Sequence, residues 1–272
     1  MPDFPEYLLP DSHTHSHHSF DGSASVLALC EGARRNGMGF LTVTDHYECN
    51  CFAEDELVET LKKSARETAD SAKNVQGTPS ILFGMELGQP LQAPKTAERL
   101  LSEENYDFIL GSLHNVQGFP DFYDMDYSAY DIKALFDRYF SELLEMVRWG
   151  NFDSLAHLTY PLRYLPKKGT QAERAYFESG QDTVLEALVQ AGKALEINTS
   201  GLRQPLRETL PGADAVRRFR ELGGELVTLG SDAHAAEDAG AGIKAGAHVA
   251  AAAGFTHVAV FRNRKPELLP IL

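Results

Sequence analysis

Short apolar runs and longer segments with helical spacing alternate along almost the whole chain. The runs predict buried strands before Asp11 and at residues 40–44, 81–85, 108–110, 155–156, 194–197 and 225–229. The intervening spacing predicts helices at residues 24–36, 54–75, 130–149, 172–191 and 213–222, with a weaker signal at 91–105. Several of these helical segments end at a glycine, as is typical of helix C-termini. Residues 118–128, rich in aromatic and Asp side chains, predict a loop.

Strands that alternate with helices are typical of a parallel sheet. About seven strand–helix units are present, and residues 257–261 are a candidate eighth strand. This number favours a closed or slightly distorted α/β barrel, and no glycine-rich nucleotide fingerprint supports the alternative of an open, doubly wound sheet. Since no composition shift marks a linker, residues 1–272 are predicted to form a single domain.

The ends of the predicted strands carry side chains that bind metals. Eight of the ten histidines lie at these ends, accompanied by acidic side chains. Catalytic groups of a barrel collect at the C-terminal ends of its strands, so we expect one shared pocket. The candidate ligands are His13, His15, His46, Glu86, His114, His157, Asp232 and His234.

Residue type and spacing both indicate a metal site. Side chains alternate along a strand, so His13 and His15 point to the same face. Imidazole and carboxylate without thiolate suit Zn²⁺, Mn²⁺ or Fe²⁺. Glu86 could bridge two ions, as carboxylates do in two-metal hydrolases. His17 and His18 are weaker candidates, for which a solvated loop is the simpler interpretation.

Charge and composition exclude several classes of protein. The chain has 25 basic and 39 acidic residues, a net charge of −14, which disfavours nucleic-acid binding. Bound ions could still make one pocket positive enough for a small phosphorylated substrate. No apolar stretch is long enough to predict a transmembrane helix, and the first ten residues do not resemble a targeting peptide. Three cysteines without a paired framework predict reduced thiols and a cytoplasmic location.

The candidate ligands also form an ordered set of motifs that resembles the PHP (polymerase and histidinol phosphatase) family. The resemblance extends from residue 11 to at least residue 234. It implies a distorted (β/α)7 TIM-like barrel with a trinuclear metal centre at the C-terminal ends of the strands. The motifs are His13-x-His15, Thr44-Asp45-His46, Glu86, Ser112-x-His114, His157 and Ser231-Asp232-x-His234.

The resemblance also implies how the ligands divide among two or three ions. One ion would take His13, His15, Glu86 and Asp232. Glu86 would bridge to a second ion, also held by His114 and His157. A third ion would take His46, His234 and a residue of the first loop.

That loop departs from the family pattern at Asp21. Many phosphatases of the family have a histidine eight positions after the first motif histidine, and here Asp21 stands there. Its carboxylate is a competent oxygen ligand, and His18 is a candidate for a second ligand from this loop. Asp45 is predicted to orient a ligand rather than to attack the substrate.

Residues 196–205 resemble the histidinol-phosphate phosphatases in particular. By that resemblance Arg203 would hold the substrate phosphate, which a guanidinium fork fits with two hydrogen bonds. Arg163 is a second phosphate-binding candidate, with a structural ion pair as its alternative. Glu86, Asp232 and His234 are the candidate catalytic residues.

The predicted reaction is hydrolysis of L-histidinol phosphate to L-histidinol and phosphate, a step of histidine biosynthesis. Another small phosphate ester or a phosphotyrosine protein is an alternative substrate. A non-catalytic metal-binding barrel is the alternative of a different class, and a nucleic-acid exonuclease is disfavoured by charge. The oligomeric state is open between monomer and dimer.

Overall fold

A computed structural model describes residues 9–165 and 171–271 of the chain. The helices in this part are α1 (Val26–Arg35), α2 (Glu54–Asn74), α3 (Pro94–Glu103), α4 (Ile132–Trp149), α5 (Gln171–Ala191), α6 (Ala213–Glu221) and α7 (Ile243–Ala252). The strands are β1 (Pro10–Thr14), β2 (Phe40–Val43), β3 (His46–Glu48), β4 (Ser80–Gly88), β5 (Phe108–Ser112), β6 (Ser154–Leu155), β7 (Ala194–Asn198), β8 (Val227–Gly230), β9 (His257–Arg262) and β10 (Lys265–Pro270). Single turns of 3-10 helix occur at Tyr127–Ala129, Tyr160–Arg163 and Ser200–Arg203.

The first eight residues, which contain most of the segment tested for a targeting peptide, lie outside this part of the chain. So do residues 166–170 and residue 272, which the predicted single domain includes. None of the helices that the structure describes is long and apolar enough to cross a membrane.

Seven strands form one parallel sheet in the order β1-β2-β4-β5-β6-β7-β8, and β3 pairs with the second half of β4. The two outer strands then meet. The His15 N–H donates to the Ala233 carbonyl at 2.8 Å, and the Asp232 N–H donates to the His13 carbonyl at 2.8 Å. The predicted TIM-like barrel is therefore confirmed, in preference to an open sheet.

Local sequence explains where the main elements begin and end. The five residues of β5 and of β7 are all buried, as expected for strands enclosed between a barrel interior and outer helices. The Asp131 side chain accepts from the N–H groups of Lys133 and Ala134 and so caps α4. At the other end of α4, Gly150 has φ 73°, the left-handed conformation that a glycine cap provides.

The candidate eighth strand does not join the barrel. β9 pairs antiparallel with β10, because Asn263 and Arg264 both have positive φ and form the tight turn that favours a local hairpin. The hairpin covers the amino-terminal end of the barrel, where the Phe261 ring lies 5.2 Å from that of Phe108. The Asn263 N–H also donates to the Asp107 carboxylate at 3.0 Å.

Two features of the chain differ from expectation. Strands β1, β4 and β7 extend past the ends predicted from the sequence. As a result, His13, Glu86 and Asn198 lie within strands rather than after them. Helix α7 was not predicted, because its alanine- and glycine-rich sequence gives little contrast between its faces. Its buried residues include Ile243 and Ala247.

A buried carboxylate reinforces the closure of the barrel. Asp11 in β1 accepts from the Ser231 N–H at 2.8 Å, the Ser231 hydroxyl at 2.6 Å and the Gly240 N–H at 2.7 Å. Asp11 is fully buried, so these donors have no access to water once the barrel has formed. The Asp11 side chain thus links β1 to the segment that follows β8, the last strand of the barrel.

We predict that Asp11→Ala lowers the free energy of unfolding by about 3 kcal/mol, because it leaves three buried donors without a partner. Urea unfolding followed by circular dichroism measures the change. The matched control is Asp70→Ala, which removes an exposed carboxylate on α2 and should change stability by less than about 0.5 kcal/mol. Equal unfolding midpoints for the Asp11 variant and the unaltered protein would contradict this account of the closure.

Candidate metal centre

The C-terminal ends of the barrel strands open into a cavity of about 910 Å³. Its floor is formed by side chains of the strands, and its walls by the loops that follow them. The predicted loop at residues 118–128 forms part of the wall through Phe119, Asp121 and Tyr123. The barrel therefore brings the ends of all seven strands to one pocket, as the sequence predicts.

Glu86 occupies the centre of the cluster and is fully buried. Its Oε2 lies 3.1 Å from His13 Nε2, 3.4 Å from His15 Nε2 and 3.1 Å from His46 Nδ1. Three imidazoles, from β1, the residue after it and β3, thus converge on one oxygen of this carboxylate.

The other oxygen of Glu86 faces a separate pair of histidines. Oε1 lies 2.9 Å from His157 Nε2 and 3.2 Å from His114 Nε2. The two Nε2 atoms are 3.3 Å from each other. With different imidazoles at each oxygen, Glu86 has the geometry of a carboxylate that bridges two ions.

Asp232 presents one oxygen to the cluster and anchors the other. Oδ1 lies 3.4 Å from His15 Nε2 and 3.6 Å from His234 Nδ1. Oδ2 accepts from the Ser200 hydroxyl at 3.1 Å and from the Arg163 guanidinium at 3.2 Å. The backbone of Asp232 has φ 55°, an uncommon conformation outside glycine. Such backbone strain is frequent at functional sites.

The third predicted group forms on the cavity side of the cluster. Asp21 Oδ2 lies 3.1 Å from His234 Nε2 and 3.7 Å from His46 Nε2. The His15 ring stacks against the rings of both His46 and His234, with centroid distances of 4.1 and 4.2 Å. The structure thus places Asp21, rather than His18, beside the two histidines expected to share an ion with it.

Glu196 is a member of the site that the sequence did not identify as a site residue. Its Oε1 lies 2.6 Å from His13 Nδ1, and its Oε2 accepts from the His157 N–H at 2.7 Å. A Cβ at Gly230 would lie 2.3 Å from Glu196 Oε1 and 2.5 Å from the His13 Cβ, so only glycine fits there. Glu196 could have been identified from the sequence, because it is an acidic residue within a predicted buried strand.

Glu48 is a second missed residue. Its Oε1 lies 3.0 Å from His114 Nδ1 and 3.2 Å from His46 Nδ1. Burial alone would raise the pKa of Glu48, but His114 and His46 hold it at about 2. The spacing His46-x-Glu48 repeats that of His13-x-His15, so strand alternation could have identified it.

The buried charges of the cluster affect one another strongly. Burial would raise the pKa of Glu86, but His46, His13 and His114 hold it well below its usual range. Burial lowers the pKa of His15 well below its usual range, and neighbouring His46 and His234 lower it further. Glu86 is therefore an anion, and His15 offers a neutral nitrogen lone pair.

Asp45 lies behind the cluster. Its carboxylate accepts from the Ser16 N–H at 2.6 Å, the Ser16 hydroxyl at 2.9 Å and the Ser19 hydroxyl at 3.0 Å. The Ser19 Oγ in turn lies 3.2 Å from His15 Nδ1. Asp45 thus fixes the loop that orients His15, in keeping with its predicted orienting function.

Two arginines enter the cavity from single turns of 3-10 helix that follow β6 and β7. Arg163 contacts the Ser200 hydroxyl and Asp232, and its buried Nε has no hydrogen-bond partner among the residues that the structure describes. Arg203 donates to the Ser231 carbonyl at 2.9 Å and lies 3.3 Å from Asp238, while its buried Nη1 has no partner within residues 9–165 and 171–271. Each guanidinium thus keeps a donor free for an anion.

The donor set fits divalent metal ions. Buried Nε2 of His15 and Nδ1 of His46 have no hydrogen-bond partner in the described residues, although both face Glu86. Imidazole nitrogens and carboxylate oxygens without thiolate suit zinc, manganese or iron. Four overlapping groups have ligand atoms within 4.8 Å of one another: His13/His15/Asp232, His13/Glu86/His157, His46/Glu86/His114 and His15/His46/His234.

The remaining histidines lie apart from this cluster. His17 and His18 contact Glu67 on α2, and so His18 is not among the groups around Asp21. His248 lies on α7, and His257 begins β9 at the opposite end of the barrel. The three cysteines are free thiols, as predicted.

Comparison with known proteins finds relatives that are named as histidinol-phosphatases. A histidinol-phosphatase of Lactococcus lactis is 27% identical over 260 residues, covering 94% of this chain and 95% of the relative. A probable histidinol-phosphatase of Thermotoga maritima is 31% identical over 248 residues, covering 86% and 88%.

A solved structure extends the likeness to three dimensions. The crystal structure of a Lactococcus lactis histidinol phosphate phosphatase, complexed with zinc, L-histidinol and phosphate, superposes with a TM-score of 0.76. It is 26% identical to this chain, and the match covers 95% of this chain and 98% of that one. A model of the PHP domain matches residues 11–200. The chain therefore belongs to the PHP domain family.

Proposed function

We propose that this chain hydrolyses L-histidinol phosphate to L-histidinol and phosphate, as a metal-dependent phosphomonoesterase of histidine biosynthesis. One observation carries the proposal: the histidine cluster around Glu86 and two guanidinium groups with free donors meet in a single cavity. A metal site that only stabilised the fold would not need an open, anion-binding pocket beside it. The relative solved with zinc, L-histidinol and phosphate supports the choice of substrate.

The cluster would hold two or three divalent ions, with zinc favoured over manganese or iron by the same relative. The first ion would take His13, His15, Glu86 and Asp232. Glu86, His114 and His157 would hold the second, and Asp21, His46 and His234 the third. When bound, such ions activate water and supply positive charge beside the phosphate.

Arg163 and Arg203 would bind the phosphate oxygens. Asp232 Oδ2 holds Arg163 in place, and backbone carbonyls together with Asp238 hold Arg203. Because both guanidinium groups are already positioned, little reorganisation is needed as charge develops on the phosphate oxygens. Of the predicted catalytic residues, Glu86, Asp232 and His234 would act by holding the ions and placing charge around the reacting phosphate.

The outer part of the cavity suits the alcohol that leaves. L-Histidinol carries an ammonium group and a flat imidazole ring. The wall offers the Asp121 carboxylate, which accepts from the Tyr160 hydroxyl at 3.1 Å, and the exposed rings of Phe20 and Tyr123. A carboxylate beside aromatic rings favours a cationic, ring-containing group over a neutral sugar.

We predict that protein stripped by a chelator and reloaded with zinc releases phosphate from L-histidinol phosphate. Its kcat/KM should exceed that for sugar phosphates, nucleotides and phosphotyrosine by at least about tenfold, since the histidinol moiety combines a cation and a flat ring that both have partners on the outer wall. A phosphate-release assay over this panel measures the preference. Greater turnover of another ester would keep the metal chemistry and reject the substrate, whereas no turnover with zinc bound would favour the binding-protein alternative.

Arg203→Ala should lower kcat/KM by about 100- to 1,000-fold, because it removes a preorganised donor from the phosphate. Steady-state kinetics with L-histidinol phosphate provides the measurement. Arg207→Ala is the matched control, since Arg207 lies four residues away on the exposed surface. If Arg203→Ala kept full activity, the phosphate would have to bind elsewhere in the cavity.

Glu196→Gln should lower zinc affinity or activity by about 10- to 100-fold, because the charge that orients and polarises His13 is lost. Zinc affinity is measured by competition with a chromophoric chelator, which does not depend on turnover. Glu225→Gln removes an exposed carboxylate at the foot of β8 and serves as the control. Equal zinc affinities in all three proteins would show that Glu196 does not tune the metal centre.

A further inference from the structure

The loop between β1 and α1 contains two adjacent histidines that contact α2. His18 Nε2 lies 2.8 Å and His17 Nε2 3.2 Å from the same oxygen of Glu67, Oε2. The two imidazole rings are 4.4 Å apart. None of these side chains takes part in the cluster around Glu86, and the phosphatase chemistry gives them no function.

The spacing of the three side chains matches that of ligands on one ion. Their ligand atoms all lie within 4.8 Å of one another. Atoms about 2.0–2.2 Å from a tetrahedral zinc ion lie about 3.3–3.6 Å apart. The observed separations from Glu67 Oε2 are slightly shorter than this, so a small outward movement of the imidazoles would admit the ion.

The surrounding backbone fixes these side chains in advance. Glu67 Oε1 accepts from the Val26 N–H at 3.0 Å, which leaves Oε2 free to face the histidines. The His17 N–H donates to the Ala24 carbonyl at 2.7 Å, and the His18 N–H donates to the Ser16 hydroxyl at 3.2 Å. A site formed before the ion arrives loses less conformational entropy on binding.

Exposure permits an ion to enter from solvent. The His17 side chain is 46% exposed, whereas Glu67 is 27% and His18 14% exposed. Two imidazoles and a carboxylate are ligands that zinc accepts, and water can complete a four-coordinate site.

We propose that His17, His18 and Glu67 bind a divalent transition-metal ion, with zinc as the expected occupant, separate from the ions around Glu86. The ion would tie the β1–α1 loop, which includes Asp21, to helix α2. This site does not depend on which phosphate ester the cavity hydrolyses.

Zinc content tests the proposal directly. The chelator-treated full chain, Glu67→Gln and His17→Ala/His18→Ala are dialysed against buffered micromolar free zinc, and bound zinc is counted by mass spectrometry. Both variants should hold one zinc ion fewer per chain than the unaltered protein. His257→Ala, which removes an exposed histidine at the far end of the barrel, should hold the full number.

Folding and the main metal centre are controlled separately. Glu67→Gln keeps an oxygen for the Val26 N–H, so it tests the site even if the double variant does not fold, as circular dichroism would show. Phosphatase activity of Glu67→Gln should persist, since the ions around Glu86 are kept. Equal zinc content in all four proteins would overturn the proposal. So would an additional ion that binds only at millimolar zinc, or loss of activity together with the missing zinc.

Discussion

The closure of the barrel between β1 and the segment after β8 is the contact on which the site depends. His13 and His15 lie near the start of the chain, and Asp232 and His234 lie more than two hundred residues later. Paired backbone hydrogen bonds and the buried Asp11 carboxylate bring these two segments side by side. If the sheet opened at this seam, the groups expected to share the first ion would separate. The contacts that close the barrel therefore also assemble the metal centre.

This arrangement requires several charged side chains to be buried close to one another. Glu48, Glu86, Glu196 and Asp232 are all buried, and histidines surround them. Burying carboxylates is costly unless each is paired and hydrogen-bonded, and here every one of them contacts at least one imidazole. A metal ion binds the folded chain through groups that are dispersed in the unfolded one, so ion binding adds to stability. The buried carboxylates and histidines that form the site therefore depend on one another, and on any bound ion, for their stabilisation.

The strands and the loops contribute different groups to the cavity. Strands β1, β3, β4 and β7 carry His13, His46, Glu86 and the orienting carboxylates, and the other cluster residues follow within four residues of a strand end, which suits a site with strict geometric needs. The arginines and the aromatic wall belong to short turns and loops that follow the strands. Loops tolerate change in sequence more readily than strands, so selectivity for one phosphate ester can change while the metal chemistry persists.

Much of the fold and the location of the metal site could be predicted from the sequence. Apolar runs alternating with helical spacing indicate the parallel barrel, and histidines after successive strands indicate one shared site. Those signals are local, because each needs only the period of a strand or helix and the residues that follow it. Local patterns failed where contrast was low, as in the alanine-rich α7, or where two left-handed residues turn β9 back into a hairpin.

The sequence by itself determined the type of barrel, the kind of ligand and the end of the barrel at which the site lies. Only the tertiary structure decided which oxygen of Glu86 faces which histidines, that Glu48 and Glu196 orient them, and that His18 contacts Glu67 instead of Asp21. These are relations between side chains distant in sequence, set by strand register and closure. No local pattern encodes such distances, because they exist only once the sheet has closed.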